Sequence, residues 1–165
     1  MIVVSDTSPI SNLIVVEYAH LLPALFGTVI VPTVVYQELL ANGSHHPVTQ
    51  LVQTANWLEV RAVSNPQRVI RLERDSNLDP GEVNAIVLAL ELQATQLLID
   101  ERLGRKEAKR QGLKITGILG ILLAAKQQKL ISTVGSIMDA LIHQANFRIK
   151  HDLYAEVLKL AGEQP

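Results

Sequence analysis

Four carboxylates in this chain occupy positions where an acid is hard to explain as decoration. Asp6 ends the apolar run Ile2-Val3-Val4, and Asp100 ends Leu97-Leu98-Ile99. Short aliphatic runs of this kind read as strands buried on both faces of a parallel sheet. An acid at the carboxyl end of such a strand faces the crevice in which open α/β sheets bind ligands. Glu38 lies on the helix expected over Thr33–Ala41 and projects between Val34 and Val35, on the face that must pack inward. Glu82 belongs to the helix opened by Asp79-Pro80-Gly81-Glu82, where it shares an arc with Ile86 and Ala89. A lone ionised carboxylate on an apolar face costs on the order of several kcal/mol unless it is paired or bound to a metal. Gathered within a few ångströms, four of them would raise one another's pKa, a conflict that a divalent cation resolves. Hard oxygen donors favour Mg²⁺ or Mn²⁺, and the chain has no cysteine for a softer site.

Each acid also has a plainer reading. Glu38 can answer a buried arginine. Asp79 followed by Glu82 matches a capping box with proline at the first helical position, and capping does not exclude ligation. Asp6 and Asp100 are residue types that commonly cap the next helix. Recurrence favours the chemical reading: two strand-end acids accompany two inward-tilted glutamates on the connecting helices.

The elements that must position these acids alternate along the chain. Ser8 as N-cap and Pro9 as first helical residue start a helix whose apolar residues, Ile10 to Phe26, recur at helical spacing until Gly27. Val29-Ile30-Val31-Pro32 reads as a second strand. After Thr33–Ala41 the chain breaks at Asn42-Gly43-Ser44, and a helix over Val48–Thr54 and a strand around Trp57–Val60 follow. The helix opened by Asp79 runs to Gln93 and leads into the Thr95–Ile99 strand. Then come a charged helix over Glu101–Arg110, a strand at Lys114–Thr116, and helices over Gly117–Gln127, Val134–Gln144 and Asp152–Leu160. Strands alternating with helices imply a parallel α/β sheet with right-handed crossovers.

At 165 residues, 48% of them apolar, a single domain over residues 1–165 with a full-sized aliphatic core is expected. The absence of cysteine excludes disulfides and thiolate chemistry and suits a cytoplasmic protein. A net charge of −1 leaves little global attraction to polyanions, so any such affinity must be local. The N-terminus carries no basic n-region, and no segment is long and apolar enough for a membrane span.

At these residues the chain resembles PIN-domain proteins, the metal-dependent ribonuclease fold of VapC-like toxins. The likeness covers nearly the whole chain. It rests on Asp6-Thr7-Ser8 after the first strand, Pro32-Thr-Val-Val-Tyr-Gln-Glu38, Asp79-Pro-Gly-Glu82-Val-Asn-Ala-Ile, and Leu97-Leu-Ile-Asp100. The Asp79–Glu82 and Asp100–Arg105 segments look closest to a poorly characterised branch of that family. The resemblance implies a three-layer α/β/α fold around a mostly parallel sheet. It also implies Asp6, Glu38, Glu82 and Asp100 as catalytic and metal-holding residues, Mg²⁺ or Mn²⁺ as cofactor, and RNA phosphodiester hydrolysis. Thr7, Ser8 or Asn12 would orient a ligand or water, although Ser8 has its capping role as alternative. The chain departs from the family pattern at Leu98, where relatives commonly carry Thr. No further acid stands near Thr116-Gly117, and Glu101 is the candidate substitute. An antitoxin partner and a homodimer are also implied, the latter covering an apolar patch on the early helices.

Beyond the acids, a helical wheel puts Arg102, Arg105, Lys106 and Lys109 on one face after Asp100, where they would grip substrate phosphates; a solvated face is the alternative. Arg148 is a remoter candidate. His45-His46 beside Pro47 reads as a polar turn, Trp57 as core, and Tyr36 as facing a partner away from Glu38. Two other functions compete with a nuclease. One is a catalytically idle module of the same fold that binds RNA or protein. The other is a phosphoacceptor domain, which usually pairs adjacent acids after its first strand, as Ser5-Asp6-Thr7 does not.

Overall fold

The computed structural model describes residues 1–164. Its sheet has five strands, β1 (Val3–Ser5), β2 (Val29–Pro32), β3 (Leu58–Arg61), β4 (Gln96–Leu98) and β5 (Ile115–Thr116), paired in parallel in the order β3-β2-β1-β4-β5. The chain first winds outward from β1 through β2 to β3, then returns to place β4 on the other side of β1. The β1/β4 junction is therefore the point where winding reverses, the place open α/β sheets reserve for ligands.

The two faces of the sheet are covered by separate cores. Val3, Val31 and Leu98 pack on one side with α1 (Thr7–Val15), α2 (Leu21–Phe26), α3 (Thr33–Leu40), α4 (Pro47–Thr54), α8 (Ile118–Gln127), α9 (Gly135–Gln144) and α10 (His151–Leu160). Val4, Ile30, Leu97 and Ile99 pack on the other with α6 (Pro80–Glu91) and α7 (Arg102–Arg110). This is the expected three-layer α/β/α arrangement. Every residue from Gly81 to Ala89 of α6 is buried, as befits a helix whose apolar side chains run nearly all the way round.

Three expectations are corrected. The segment from Ile10 to Phe26 is two helices, because Glu17 adopts φ 66° and ends the first of them. Asp6 rather than Ser8 is the N-cap of α1, so Ser8 lies inside the first turn; its carbonyl accepts the Ser11 hydroxyl. The apolar residues of these early helices are mostly in the core, and Tyr36, expected to face a partner, is partly buried against that core. One helix was not foreseen. α5 (Pro66–Asp75) buries no residue fully, and its short apolar edge, set among many charged residues, meets the core through Leu72. It is held by its own Asn65 cap and by the Glu91 carboxylate, which accepts the Ser64 and Asn65 N–H groups at 2.9 Å. Trp57 is partly buried against the core, and the His45-His46 pair lies in the expected turn, where His46 caps α4 by accepting the Val48 N–H.

Glu163 ties down the C-terminal segment. It accepts the Val134 and Gly135 N–H groups at 2.7 and 3.0 Å and pairs with the Lys126 ammonium at 2.7 Å. Burial pushes its carboxyl up, but those three donors outweigh the burial and hold it below its ordinary value. Glu163→Ala should lower unfolding free energy by about 1–3 kcal/mol, because two helix-end N–H groups lose their acceptor. Urea denaturation checks this; an unchanged midpoint would mean the tether is idle.

Candidate functional site

A cavity of about 330 Å³ opens at the β1/β4 junction, and acids line it. Asp6 reaches it because β1 ends one residue earlier, with the Asp6 N–H held by the Leu98 carbonyl at 2.9 Å. Glu38 arrives from the second turn of α3, and Glu82 from the first turn of α6. Asp79 and Glu101 complete the acidic lining, with Arg102 at the rim. Three of the four predicted acids are thus brought together.

Local chemistry explains each placement. Thr7 donates its hydroxyl to Glu38 Oε2. The Glu38 carboxylate rests against Gly81, where a Cβ would stand 2.5 and 2.8 Å from its two oxygens. Only glycine leaves that space. Glu82 and Asp79 form the expected capping box: Asp79 Oδ1 accepts the Glu82 N–H at 2.8 Å and Glu82 Oε2 accepts the Asp79 N–H at 2.9 Å. Asp79→Ala should lower stability by about 1 kcal/mol, the usual worth of an N-cap. Thermal melting tests it, and an unchanged melting temperature would count against the cap.

The acids of this cavity outnumber its basic lining residue, Arg102. Among the described residues no ion pair includes Asp6, Glu38, Glu82, Asp79 or Glu101. Asp6 is 4% exposed, and its carboxyl is pushed up to about 7, first by burial and then by Asp79, Glu82 and Glu38 against a hydrogen bond from the Thr7 N–H. Burial also raises Glu82, with Asp79, Glu101 and Glu38 adding to the effect. Among the described residues no three acids or imidazoles stand as a ready-made cation cage. The donor set nonetheless fits a hard divalent cation in kind: it is all oxygen, partly buried and engaged in no ion pair among the described residues.

Asp100 is the exception, and its position is a correction. It does not line the acidic cavity. Oδ1 accepts the Ile118 N–H at 2.8 Å, and Oδ2 is buried with no hydrogen-bond partner among the described residues. Burial pushes its carboxyl up to about 6, opposed by that N–H and by Arg105, with Glu101 raising it further. The cause is register. Val4 pairs with Leu97 and Ser5 with Leu98, so Asp6 falls level with Ile99, on the face shared by Val4, Leu97 and Ile99. Asp100 is one residue further on and points to the opposite face. Glu101, the next residue, lines the acidic cavity together with Asp6.

The basic residues divide. Arg102 lines the acidic cavity and also a neighbouring cleft, which Arg105, Lys106 and Lys109 share with Asp100. Arg105 is partly committed, since its Nη1 donates to the Ile99 carbonyl at 2.9 Å. Ser8 and Thr7 line the acidic cavity, while Arg148 lines a different one. Gly81 escaped the sequence reading; its signal was a glycine between two acids in the first turn of a helix.

Comparison with known proteins agrees with this architecture. A PilT N-terminus domain protein from the hyperthermophilic archaeon Sulfolobus solfataricus P2 superimposes with a TM-score of 0.57 at 21% identity, covering 76% of this chain and 93% of that one. At that identity the likeness is one of fold. No curated protein matches. No helix among the described residues is long and apolar enough to cross a membrane. The family model of the DUF3368 PIN domain matches residues 2–163, and a chain matched over nearly its full length belongs to that family of PIN domains.

Proposed function

We propose that this PIN domain is a divalent-metal-dependent endoribonuclease whose working acids are Asp6, Glu38 and Glu82, with Glu101 in place of Asp100. The observation that carries this reading is the unbalanced negative charge around buried Asp6 at the strand-switch point. Maintaining such a cluster without function would be costly. Asp6, Glu38 and Glu82 would hold Mg²⁺ or Mn²⁺. When bound, that ion supplies an activated water nucleophile and stabilises charge on the phosphoryl oxygens. Thr7 keeps Glu38 oriented, and Asp79 keeps the backbone around Glu82 in place. Arg102 stands at the rim where a phosphate would enter.

A toxin role, an antitoxin partner, a homodimer and a cytoplasmic setting are proposed on the family likeness. Light scattering on the purified protein tests the dimer. A second reading, an idle RNA- or protein-binding module, is favoured by one observation: the acids form no ready-made cage. Calorimetry with Mn²⁺ separates the two. Binding to the wild type that disappears in Asp6→Asn, together with Mn²⁺-dependent cleavage of a mixed RNA pool, supports the enzyme. No binding and no cleavage leaves the idle module.

Glu82→Gln isolates the two roles of that residue. An amide oxygen can still accept the Asp79 N–H, so stability should change by less than about 1 kcal/mol. Mn²⁺ affinity should drop at least tenfold through the lost charge. A variant with full Mn²⁺ affinity would reduce Glu82 to a cap.

A further inference from the structure

The cations of α7 divide by whether anything answers them. Arg110 pairs with Glu107 at 2.7 Å. Among the described residues no ion pair includes Arg102, Arg105, Lys106 or Lys109. Those four line a cleft of about 410 Å³, whose one acid, Asp100, is turned to the Ile118 N–H. Arg105 is half-buried and bound to the Ile99 carbonyl, so Arg102, Lys106 and Lys109, all exposed, are the cations left to meet a ligand. These three fall within about 60° of one another round the helix, and Arg102 to Lys109 spans about 10 Å along it. The cleft adjoins the acidic cavity, because Arg102 lines both. Leu103 stands at the same junction. It lines the acidic cavity and is 53% exposed, so half of an apolar side chain is left bare beside the acids.

We propose that α7 guides a single RNA strand away from the acidic cavity, with Arg102, Lys106 and Lys109 on its phosphates and Leu103 against an unstacked base at the cavity mouth. The ribonuclease reading, on which the inference rests, makes the occupant RNA rather than an acidic peptide. A run of about 10 Å meets no more than about three phosphates, at 3.4 Å or more per nucleotide of one strand. Contacts of that kind fix a strand's register without reading its sequence. Leu103 adds what the cations do not supply. A bare aliphatic group gains from a base whose face is open, and a single strand offers one. In a duplex those faces are stacked shut, and only the phosphates remain to be held.

Fluorescence anisotropy of the full chain in EDTA, with a labelled oligouridylate of about eight nucleotides, tests the track without metal or turnover. Between about 50 and about 200 mM salt, log affinity should fall against log salt with a slope of about −2, or about −0.7 per phosphate held. Lys106→Ala and Lys109→Ala should each flatten that slope by about 0.7. Lys159→Ala, exposed on α10, should leave it alone. Leu103→Ala should weaken the single strand about fivefold at an unchanged slope, through lost apolar contact. The same variant should bind an adenylate–uridylate duplex as wild type does. Circular dichroism confirms that the variants fold. No binding of the oligouridylate at low salt, a slope that both lysine variants leave unchanged, or a Leu103→Ala loss equal on duplex and single strand overturns the proposal. So does displacement of the strand by polyglutamate that binds more tightly. Lysine-dependent binding without Mn²⁺-dependent cleavage keeps the track and sinks the nuclease. Mn²⁺-dependent cleavage with unchanged slopes in the lysine variants does the reverse.

Discussion

Asp6→Asn is expected to abolish Mn²⁺-dependent RNA cleavage and, in the same protein without metal, to raise the melting temperature at pH 8. The two effects have one cause. The Asp6 carboxyl is buried and its pKa is pushed from 3.8 up to about 7, by burial first and by the neighbouring acids second. Between those pH values the folded chain keeps a proton that the unfolded chain has already released. Unfolding then releases protons, so stability falls as pH rises through the window and levels off above pH 7. The full drop is on the order of 4 kcal/mol, taking about 1.4 kcal/mol per pKa unit. Asparagine removes the charge and therefore most of that slope. Asp100, raised to about 6 for the same leading reason, leaves a shallower decline in the variant. Added Mn²⁺ should reverse the sign, stabilising wild type and leaving Asp6→Asn unmoved, because a ligand stabilises only the form that binds it. Differential scanning fluorimetry from pH 5 to pH 8, with Mn²⁺ and with EDTA, reads all of this. A wild type equally stable across that range without metal would remove the physical basis for the site.

Gly81→Ala should cut cleavage about a hundredfold while changing stability by less than about 1 kcal/mol. Alanine is a better helix former than glycine, so α6 itself gains slightly. The added Cβ, however, would stand 2.5 Å from Glu38 Oε2, inside any allowed contact. The Glu38 side chain is the flexible partner, so it moves and loses both its resting place and its bond from Thr7. Misplacing a catalytic group by about an ångström is enough for a loss of this size. Single-turnover cleavage beside urea denaturation checks the pair of expectations. Full activity in Gly81→Ala would show that Glu38 does not need its observed position. A collapse of stability would show that the glycine serves packing instead.

Both predictions rest on the cluster of acids that line one cavity, and the route to that cluster shows which residues were legible in advance. Asp6, Glu38 and Glu82 were visible because each violates a local rule: an acid closing a buried strand, or an acid on an inward helix face. The capping box at Asp79 and Glu82 was visible because its spacing is local. The unforeseen helix α5 was not, since nothing within its own residues forms a wide apolar stripe, and it is held by Glu91 from another helix. Gly81 was equally silent, because its reason for being glycine lies forty-three positions away in Glu38.

The amino-acid sequence by itself determined the alternation of aliphatic strands and helices, hence the parallel sheet, and the types of acid at the strand ends. It did so because hydrophobic period and helix capping are properties of a few consecutive residues. Only the tertiary structure decided which strand-end acid joins Asp6. That depends on the register of β1 against β4, in which Ser5 meets Leu98 and the acidic cavity is lined by Glu101 and not by Asp100. Side chains alternate between faces at every step of an extended chain, so a site assembled across two strands is settled by pairing that neither strand encodes alone.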